Sequence, residues 1–127
     1  MIKMIALIAK RPELSFDEFR SYYEDHHVPL ISGLITFAEG YRRNYIDKST
    51  ILASGDNPEL SFDVITELWF KDRSAYEAQE DVMRSRDVRR RVAADEARFM
   101  QRDKTKMFLV TEAGSPPAVA PSPPGAQ

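Results

Sequence analysis

The chain has 127 residues, of which 43% are hydrophobic, and its formal net charge is -2. This size and composition predict one globular domain that buries its own core. The absence of cysteine excludes disulfides, thiolate metal sites and thiol catalysis. The nearly balanced charge gives no general attraction to nucleic acid or to a membrane surface. The apolar part of the N-terminal segment is too short for a signal peptide, so a cytoplasmic protein is expected.

The chain opens with a predicted strand and a capped helix. Residues 2–9 are almost continuously apolar, which is typical of an inner strand of a sheet. Ser15 is a suitable N-cap for the helix, and Glu18 three residues later completes a capping box. Pro29 disfavours helical geometry at the residue before it, so the helix is predicted to stop at about His27.

The two histidines of the chain, His26 and His27, stand together at the end of this helix. With about 100° per residue, each lies about 50° from the centre of an apolar seam formed by Phe19, Tyr23 and Leu30, so the periodicity does not decide which histidine faces the core. Adjacent histidines on a helix point about 100° apart, which disfavours a shared metal ion. Either imidazole suits a general base or acid near neutrality. The alternative is a histidine that only satisfies the last helix carbonyls.

A second strand is predicted over residues 41–46, where Tyr41 and Asn44 lie on opposite faces. Both side chains could polarise a substrate carbonyl or bind a phenol, although aromatic residues on strands mostly serve packing. Residues 47–61 are polar and longer than a hairpin turn needs. Such a length is typical of lids, partner contacts or disordered loops.

The clearest strand pattern spans residues 62–70, in which one residue in two is a large apolar or a threonine side chain. The alternation places Glu67 on one face together with Ile65 and Trp69. If that face lies inside the protomer, Glu67 is a titratable group for a pocket. If it faces a second copy of the chain, Glu67 forms an interface salt bridge.

Two helical segments follow, over residues 73–84 and 88–102, and Asp72 is the predicted N-cap of the first. In the second segment, Asp95 lies within the apolar stripe. A buried aspartate must find a partner or change its protonation state. Asp95 therefore orients a histidine, pairs with an arginine such as Arg43, or caps backbone groups, and a structural pairing is favoured.

The arginines between residues 84 and 91 are interleaved with Asp87, and we interpret them as a solvated helix face and not as a nucleic-acid site. The last strand is predicted over residues 106–112. Residues 114–127 contain five prolines and no charged side chain. They are predicted to form a disordered tail, which leaves one ordered domain over residues 1–113.

The element order β-α-β-β-α-β, with the second helical region broken in two, predicts an α+β fold of the ferredoxin-like type. Helices on one face of a single sheet leave the other face to be covered by something else. A second copy of the chain is the simplest cover, so a homodimer is expected.

Several segments taken together resemble the EthD family of dimeric α+β barrel proteins. The segments that carry the resemblance are residues 1–3, 15–20, 22–30, 41–45, 67–70 and 95–99. The resemblance spans about residues 1 to 113. It implies a ferredoxin-like protomer whose sheet packs face to face with that of a second protomer in a dimeric α+β barrel, and a pocket between sheet and helices in each protomer.

The resemblance also bears on the choice of histidine. The His-x-Pro-Leu pattern of the family matches residues 27–30 and singles out His27. Relatives with this architecture include cofactor-free lyases and isomerases of lactones and polyketide-like aromatic intermediates, as well as cofactor-free monooxygenases. In the muconolactone isomerase relatives, a histidine at the end of the first helix works with a tyrosine on the second strand, and the matching tyrosine is Tyr41.

The leading hypothesis is a cofactor-independent lyase or isomerase that performs acid/base catalysis with His27, Tyr41 and Glu67 on a polyketide-like or lactone small molecule, by cyclisation, dehydration or decarboxylation. Substrate contacts are expected from His26, Tyr23, Asn44, Trp69 and Asp95. No metal or other cofactor is expected, and oxygen is not expected to be a substrate. The alternatives are a cofactor-free monooxygenase and a non-catalytic dimeric protein that holds a small molecule for a partner oxidase.

Overall fold

The computed structural model describes residues 1–57 and 59–115. Its elements in chain order are β1 (Ile2–Ile8), α1 (Phe16–Tyr22), a π turn (Tyr23–His27), α2 (Val28–Leu34), β2 (Gly40–Tyr45), a 3-10 turn (Lys48–Thr50), β3 (Val64–Phe70), α3 (Arg73–Arg84), α4 (Arg86–Glu96) and β4 (Lys106–Val110). Gly114 and Ser115 belong to no helix or strand. The rest of the predicted tail, from residue 116 onward, lies outside the described residues.

The four strands form one antiparallel sheet in the order β2-β3-β1-β4. The two most apolar strands, β1 and β3, occupy its centre and pair over their whole length, from Ile2 opposite Phe70 to Ile8 opposite Val64. Each helical connection joins two strands that are not adjacent in the sheet: α1 and α2 join β1 to β2, and α3 and α4 join β3 to β4. This arrangement confirms the predicted α+β ferredoxin-like fold.

The sheet has one face toward the helices and one away from them, which we call the inner and the outer face. Strand β3 shows the division most clearly, because its burial alternates strictly along the strand. The inner-face residues of β3 are buried: Val64, Thr66, Leu68 and Phe70. The outer-face residues of β3 are partly exposed: Ile65, Glu67 and Trp69.

The first helix begins as predicted but does not end at His27. The Ser15 hydroxyl accepts from the Glu18 N–H at 3.1 Å, and the Glu18 carboxylate accepts from the Ser15 N–H at 2.9 Å. Instead of stopping, the helix widens into the π turn, in which the Val28 N–H donates to the Tyr23 carbonyl, and continues as α2 with Pro29 in its first turn. Proline is tolerated there because its ring is compatible with a first turn and few donors are needed at that position.

The π turn separates the two histidines. A wider turn advances by a smaller angle per residue than an α-helix, so His27 returns to the side of Tyr23 that faces the sheet, while His26 is carried outward. His27 is accordingly 5% exposed, and His26 is exposed.

The core lies between the inner face and the first helix. Its fully buried aromatic residues include Phe19, Tyr23 and Phe99. Phe99 follows α4, which ends at Glu96 and is therefore shorter than predicted. The chain turns after Glu96, and Met100 then pairs with Lys10 beside the sheet.

Candidate active site

A cavity of about 230 Å³ lies between the inner face of the sheet and the helices. It is the candidate site of catalysis, and we call it the catalytic cavity for that reason. Most of its wall is apolar and comes from β1, β3 and the helices, with Met4, Leu68 and Met83 as examples. Polar side chains also line it, among them His27, Tyr23, Tyr41, Thr66 and Glu96. An apolar cavity with a few converging polar groups is the usual form of a small-molecule site.

The His27 ring is held from behind by Asp95. Its Nδ1 lies 2.6 Å from Oδ2 of Asp95, and the hydroxyl of Tyr22 donates to the other carboxylate oxygen at 2.7 Å. A carboxylate only accepts hydrogen bonds, so this contact places the imidazole proton on Nδ1 and leaves the lone pair on Nε2. Asp95 reaches the ring because it lies in the apolar stripe of α4, which packs against the first helix.

The protonation of His27 follows from its surroundings. Burial lowers the pKa of His27 below its ordinary value of 6.5, and the hydrogen bond and charge of Asp95 oppose this effect without cancelling it. The ring is therefore neutral at neutral pH. Its Nε2 has no hydrogen bond to a described residue, and among those residues no buried side-chain nitrogen or oxygen lacks a partner. Nε2 therefore keeps some accessible surface, and His27 is one of the residues that line the cavity.

A chain of hydroxyl groups lies on the sheet side of the cavity. Tyr41 donates to the hydroxyl of Tyr23 at 3.3 Å, and the Tyr23 hydroxyl lies 2.6 Å from Oγ1 of Thr66. Burial raises the pKa of both tyrosines. Tyr41 and Tyr23 therefore stay protonated and can donate a hydrogen bond to a developing negative charge.

Arg43 does not pair with Asp95, which corrects the structural pairing favoured by the sequence. Its guanidinium donates to both carboxylate oxygens of Glu24, at 3.0 and 2.7 Å, and the Tyr45 hydroxyl donates to the same carboxylate at 2.6 Å. This pairing holds the pKa of Glu24 below its usual range. Asp95 is thus free to orient a histidine, the first of the three alternatives.

Three of the predicted site residues lie on the outer face, across the sheet from the cavity. Glu67 has Lys3 as its charged neighbour at 3.7 Å, and Asn44 donates to the carbonyl of Ile65 at 2.9 Å. Trp69 packs over Gly40, where a Cβ atom would come within 2.0 Å of the indole ring. The alternation of the strand defined the two sets of residues but not which set faces inward, and the structure does not bring these three to His27.

His26 and Asp95 also lie outside the cavity lining. The His26 ring stacks on Tyr22 with 4.7 Å between ring centroids, on the exposed side of the helix. Asp95 lies behind His27 and contacts Nδ1. Of the eight site residues predicted from the sequence, the structure therefore brings His27, Tyr23 and Tyr41 together in the cavity.

Several polar residues of the cavity were not predicted from the sequence, and Thr66 and Glu96 are two of them. Thr66 is the one residue with a hydroxyl group among the inner-face positions of β3, and this pattern could have identified it. Glu96 comes directly after Asp95 at the edge of the apolar stripe of α4. Its burial raises the pKa of the Glu96 carboxyl, and Arg102 lies 3.3 Å away.

Two general features of the described residues complete the site. Within residues 1–57 and 59–115, no group of three or more histidine, cysteine, aspartate or glutamate side chains is arranged to hold a metal ion. In the same part of the chain, none of the helices combines the length and the apolar character that crossing a membrane requires.

Solved structures share this fold at low sequence identity. An EthD family protein from Bacillus halodurans matches with a TM-score of 0.60 and 17% identity, over 89% of this chain and 100% of its own. SnoaB from Streptomyces nogalater, a cofactor-independent oxygenase, matches with a TM-score of 0.52 and 10% identity, over 90% of this chain and 94% of its own. A dimeric ferredoxin-like protein of unknown function from Thermobifida fusca matches with a TM-score of 0.52 and 15% identity, over 87% of this chain and 90% of its own.

The sequence itself defines the family. No curated protein sequence matches this chain, but the EthD domain matches residues 11–103. That range contains the helix with both histidines, β2, β3 and α4 with Asp95. The chain therefore belongs to the EthD family.

Proposed function

We propose that this protein is a cofactor-independent lyase or isomerase that uses His27 as a general base on a small activated carbon acid. One observation carries the proposal. A buried imidazole that lines an apolar cavity is neutral at neutral pH, is fixed through Nδ1 by Asp95 at 2.6 Å and keeps some accessible surface at Nε2. A positioned imidazole contributes about 10²–10⁴-fold by proton transfer, which is enough for a substrate whose proton is already acidic.

The first step transfers a proton from substrate carbon to Nε2 of His27, and the electron pair of that C–H bond moves toward the substrate carbonyl oxygen. Asp95 stabilises the imidazolium that forms because its carboxylate accepts from Nδ1. Tyr41 donates to the developing enolate oxygen, since its hydroxyl stays protonated. Catalysis thus requires His27 and Tyr41 to approach the two ends of one enolisable unit.

The second step returns the electron pair and decides the reaction class. His27 gives the same proton to a different substrate carbon in an isomerisation. In a dehydration it gives the proton to a departing hydroxide, which leaves as water. Both outcomes leave His27 neutral and ready for another cycle, and neither needs an oxidant or a metal.

The cavity volume restricts the substrate. About 230 Å³ is below the roughly 300–1,000 Å³ typical of pockets for drug-sized ligands. A single ring fits this space, which favours a monocyclic lactone or a single aromatic ring as the reacting unit.

The proposal includes a homodimer formed through the outer faces of two sheets. Apolar side chains of β1, β3 and β4 lie there without a cover among the described residues: Ile5, Leu7, Ile65, Trp69, Phe108 and Val110. An uncovered apolar patch of this kind marks an interaction surface. The Thermobifida fusca protein of the same fold is described as dimeric, which supports the same assembly here.

The second candidate is a cofactor-free monooxygenase, because the cofactor-independent oxygenase from Streptomyces nogalater shares the fold. The first step is the same proton abstraction by His27. The substrate carbanion then supplies electrons to O₂: the carbon loses two hydrogens and gains one oxygen atom, and the other oxygen atom leaves as water.

A substrate panel with matched histidine variants tests these proposals. Monocyclic lactones and enolisable or phenolic compounds are incubated with wild type, His27→Ala and His26→Ala, with and without oxygen. We expect turnover by wild type and His26→Ala, a loss of about 10²–10⁴-fold in His27→Ala, and no oxygen uptake. His26→Ala is the control, because it also removes one imidazole but does so on the exposed side of the helix.

Other outcomes separate the alternatives. Oxygen uptake stoichiometric with product would replace the lyase or isomerase assignment with the monooxygenase. Binding of the compounds without turnover of any of them would favour a non-catalytic small-molecule-binding protein. Equal activity of His27→Ala and wild type would exclude His27 as the base.

A further inference from the structure

A second cavity of about 510 Å³ lies beside the catalytic cavity, where α3 meets α4. The two cavities share three lining residues, Met83, Val92 and Glu96, so they adjoin. Most of the other lining residues of the second cavity are arginines: Arg84, Arg86, Arg89, Arg90 and Arg102. We call this cavity the arginine cleft.

Local sequence creates the cleft. Ser85 ends α3 and caps α4, so the chain bends at this point and the two helices diverge. Arg86, Arg89 and Arg90 follow at the spacing of one helix face, and the small side chain of Ala93 one turn later leaves space in front of them. The arginine run is exposed, as the sequence predicted, and four of its five members line this one cleft.

The cleft has an excess of positive charge. Arg84, Arg90 and Arg102 have carboxylate neighbours among the described residues, at 2.6, 2.8 and 3.3 Å. Arg86 and Arg89 have no ion pair with a described residue. Glu96 is the one carboxylate among the residues that line the cleft, and it is already engaged by Arg102.

We propose that the arginine cleft binds an oxyanion carried by the substrate, a carboxylate or a phosphate, while the reacting ring occupies the catalytic cavity against His27. The inference rests on the proposed function, and it adds the chemical class of the substrate. The substrate is an organic anion that reaches from one cavity into the other.

Three physical arguments support this division of the substrate. The guanidinium fork matches carboxylate and phosphate oxygens with two parallel hydrogen bonds. A charged group inside the apolar catalytic cavity would lose its hydration without a partner, whereas in the cleft it meets cations. The catalytic cavity holds about one ring, so a larger substrate must extend beyond it, and the cleft is the adjoining space.

A titration of the full chain with three probes of similar shape tests the proposal by NMR. Benzoate and phenyl phosphate carry an oxyanion on an aromatic ring, and benzamide is the neutral counterpart of benzoate. We expect both anions to shift the amide signals of α4 and the ring C–H signals of His27, and to bind about five- to ten-fold more tightly than benzamide. The anion that binds more tightly shows whether the cleft prefers a carboxylate or a phosphate.

Arginine variants locate the effect in the cleft. The double variant Arg86→Gln/Arg89→Gln should weaken both anions about ten-fold and leave benzamide unchanged. Arg89→Gln and Arg91→Gln form the matched pair, because each removes one charge from the same helix and only Arg89 lines the cleft. The amide spectra report whether each variant is folded. If the double variant does not fold, the single variant Arg89→Gln decides, because it should weaken the anions more than Arg91→Gln does.

Benzamide binding as tightly as benzoate would overturn the proposal. So would equal weakening of the anions by Arg91→Gln, which would reduce the effect to general charge attraction. The test is independent of catalysis, since His27→Ala should bind benzoate through the cleft although it lacks turnover. Binding measurements therefore test the anion preference of the cleft, and turnover measurements test the role of His27 separately.

Discussion

The two faces of the sheet are built from the same strands and differ in what covers them. On the inner face, the helices bury the side chains of β3 but do not fill the space above them, and His27 and Tyr41 line the cavity that remains. On the outer face, apolar side chains such as Ile65 and Phe108 have no cover among the described residues. One face therefore encloses a largely apolar cavity, and the other presents an uncovered apolar surface, which the proposed homodimer would bury.

The burial and the hydrogen-bond partners of a polar residue depend on the face of the sheet to which it points. Thr66 and Glu67 are neighbours on β3, yet Thr66 is 4% exposed and bonds to Tyr23. Glu67 points the opposite way and lies near Lys3. A shift of one residue in strand register would exchange the two and would bring a carboxylate into the catalytic cavity.

The largest difference between the faces should appear in core truncations. Phe70 and Trp69 are adjacent on β3 and point to the inner and the outer face, and Phe70 is 1% exposed. Phe70→Ala should lower the free energy of unfolding by about 3–5 kcal/mol. Trp69→Ala should lower it less, because that side chain keeps part of its contact with water within one protomer.

Urea unfolding measures both losses. Both substitutions are made in a Phe108→Glu variant, which is expected not to dimerise. Loss of a dimer interface then does not contribute to the measured free energies of unfolding. Equal losses at the two positions would contradict the assignment of a buried and an uncovered face.

The second effect concerns assembly through the outer face. Phe108 and Leu109 are adjacent on β4 and almost equally exposed, at 43% and 40%, but only Phe108 lies on the outer face. Phe108→Glu should weaken the proposed homodimer about 100-fold or more, because each protomer would bury an unpaired carboxylate in an apolar interface. Leu109→Glu should leave it intact.

Sedimentation at micromolar concentration distinguishes the two variants. If wild type is already a monomer under these conditions, the proposed homodimer is wrong. If both glutamate variants dissociate to the same extent, the interface is not confined to the outer face.

The smallest effect concerns the orientation of His27 on the inner face. Asp95→Asn should reduce kcat about ten-fold, because it replaces a charge-assisted hydrogen bond to Nδ1 with a weaker one. Asp95 raises the pKa of His27 against the effect of burial, so its removal should lower that pKa further. Since the base must be unprotonated, the acid limb of the pH profile of kcat should move to lower pH.

Tyr22→Phe is the control for this prediction. It removes the other hydrogen bond to Asp95 but leaves the contact with His27 in place. The acid limb should therefore move less than in Asp95→Asn. An unchanged pH profile in Asp95→Asn would show that Asp95 does not act through His27.

Local signals made much of the fold predictable. The Ser15 capping box, the Asp72 cap and the alternation of β3 each depend on neighbouring residues, and all three are present in the structure. Predictions that depended on packing between distant segments were less successful. The partner of Asp95 had to be chosen among three, and the arginine cleft depends on how α3 and α4 diverge at Ser85.

The site was only partly predictable for the same reason. Asp95 stood out because a carboxylate interrupted an apolar stripe. Glu67 stood out equally, but the alternation of a strand does not say which face is inside. The helical wheel could not decide between His26 and His27, because it assumes a constant angle per residue and the π turn changes that angle.

The π turn also affects how this chain should be aligned with others. A π turn accommodates one more residue than an α-helical turn over nearly the same length of axis. A relative with an uninterrupted α-helix would need one residue fewer between the capping box and α2. An alignment without a gap would then place the functional histidine of that relative opposite His26, and one inserted gap within residues 23–27 would restore its match to His27.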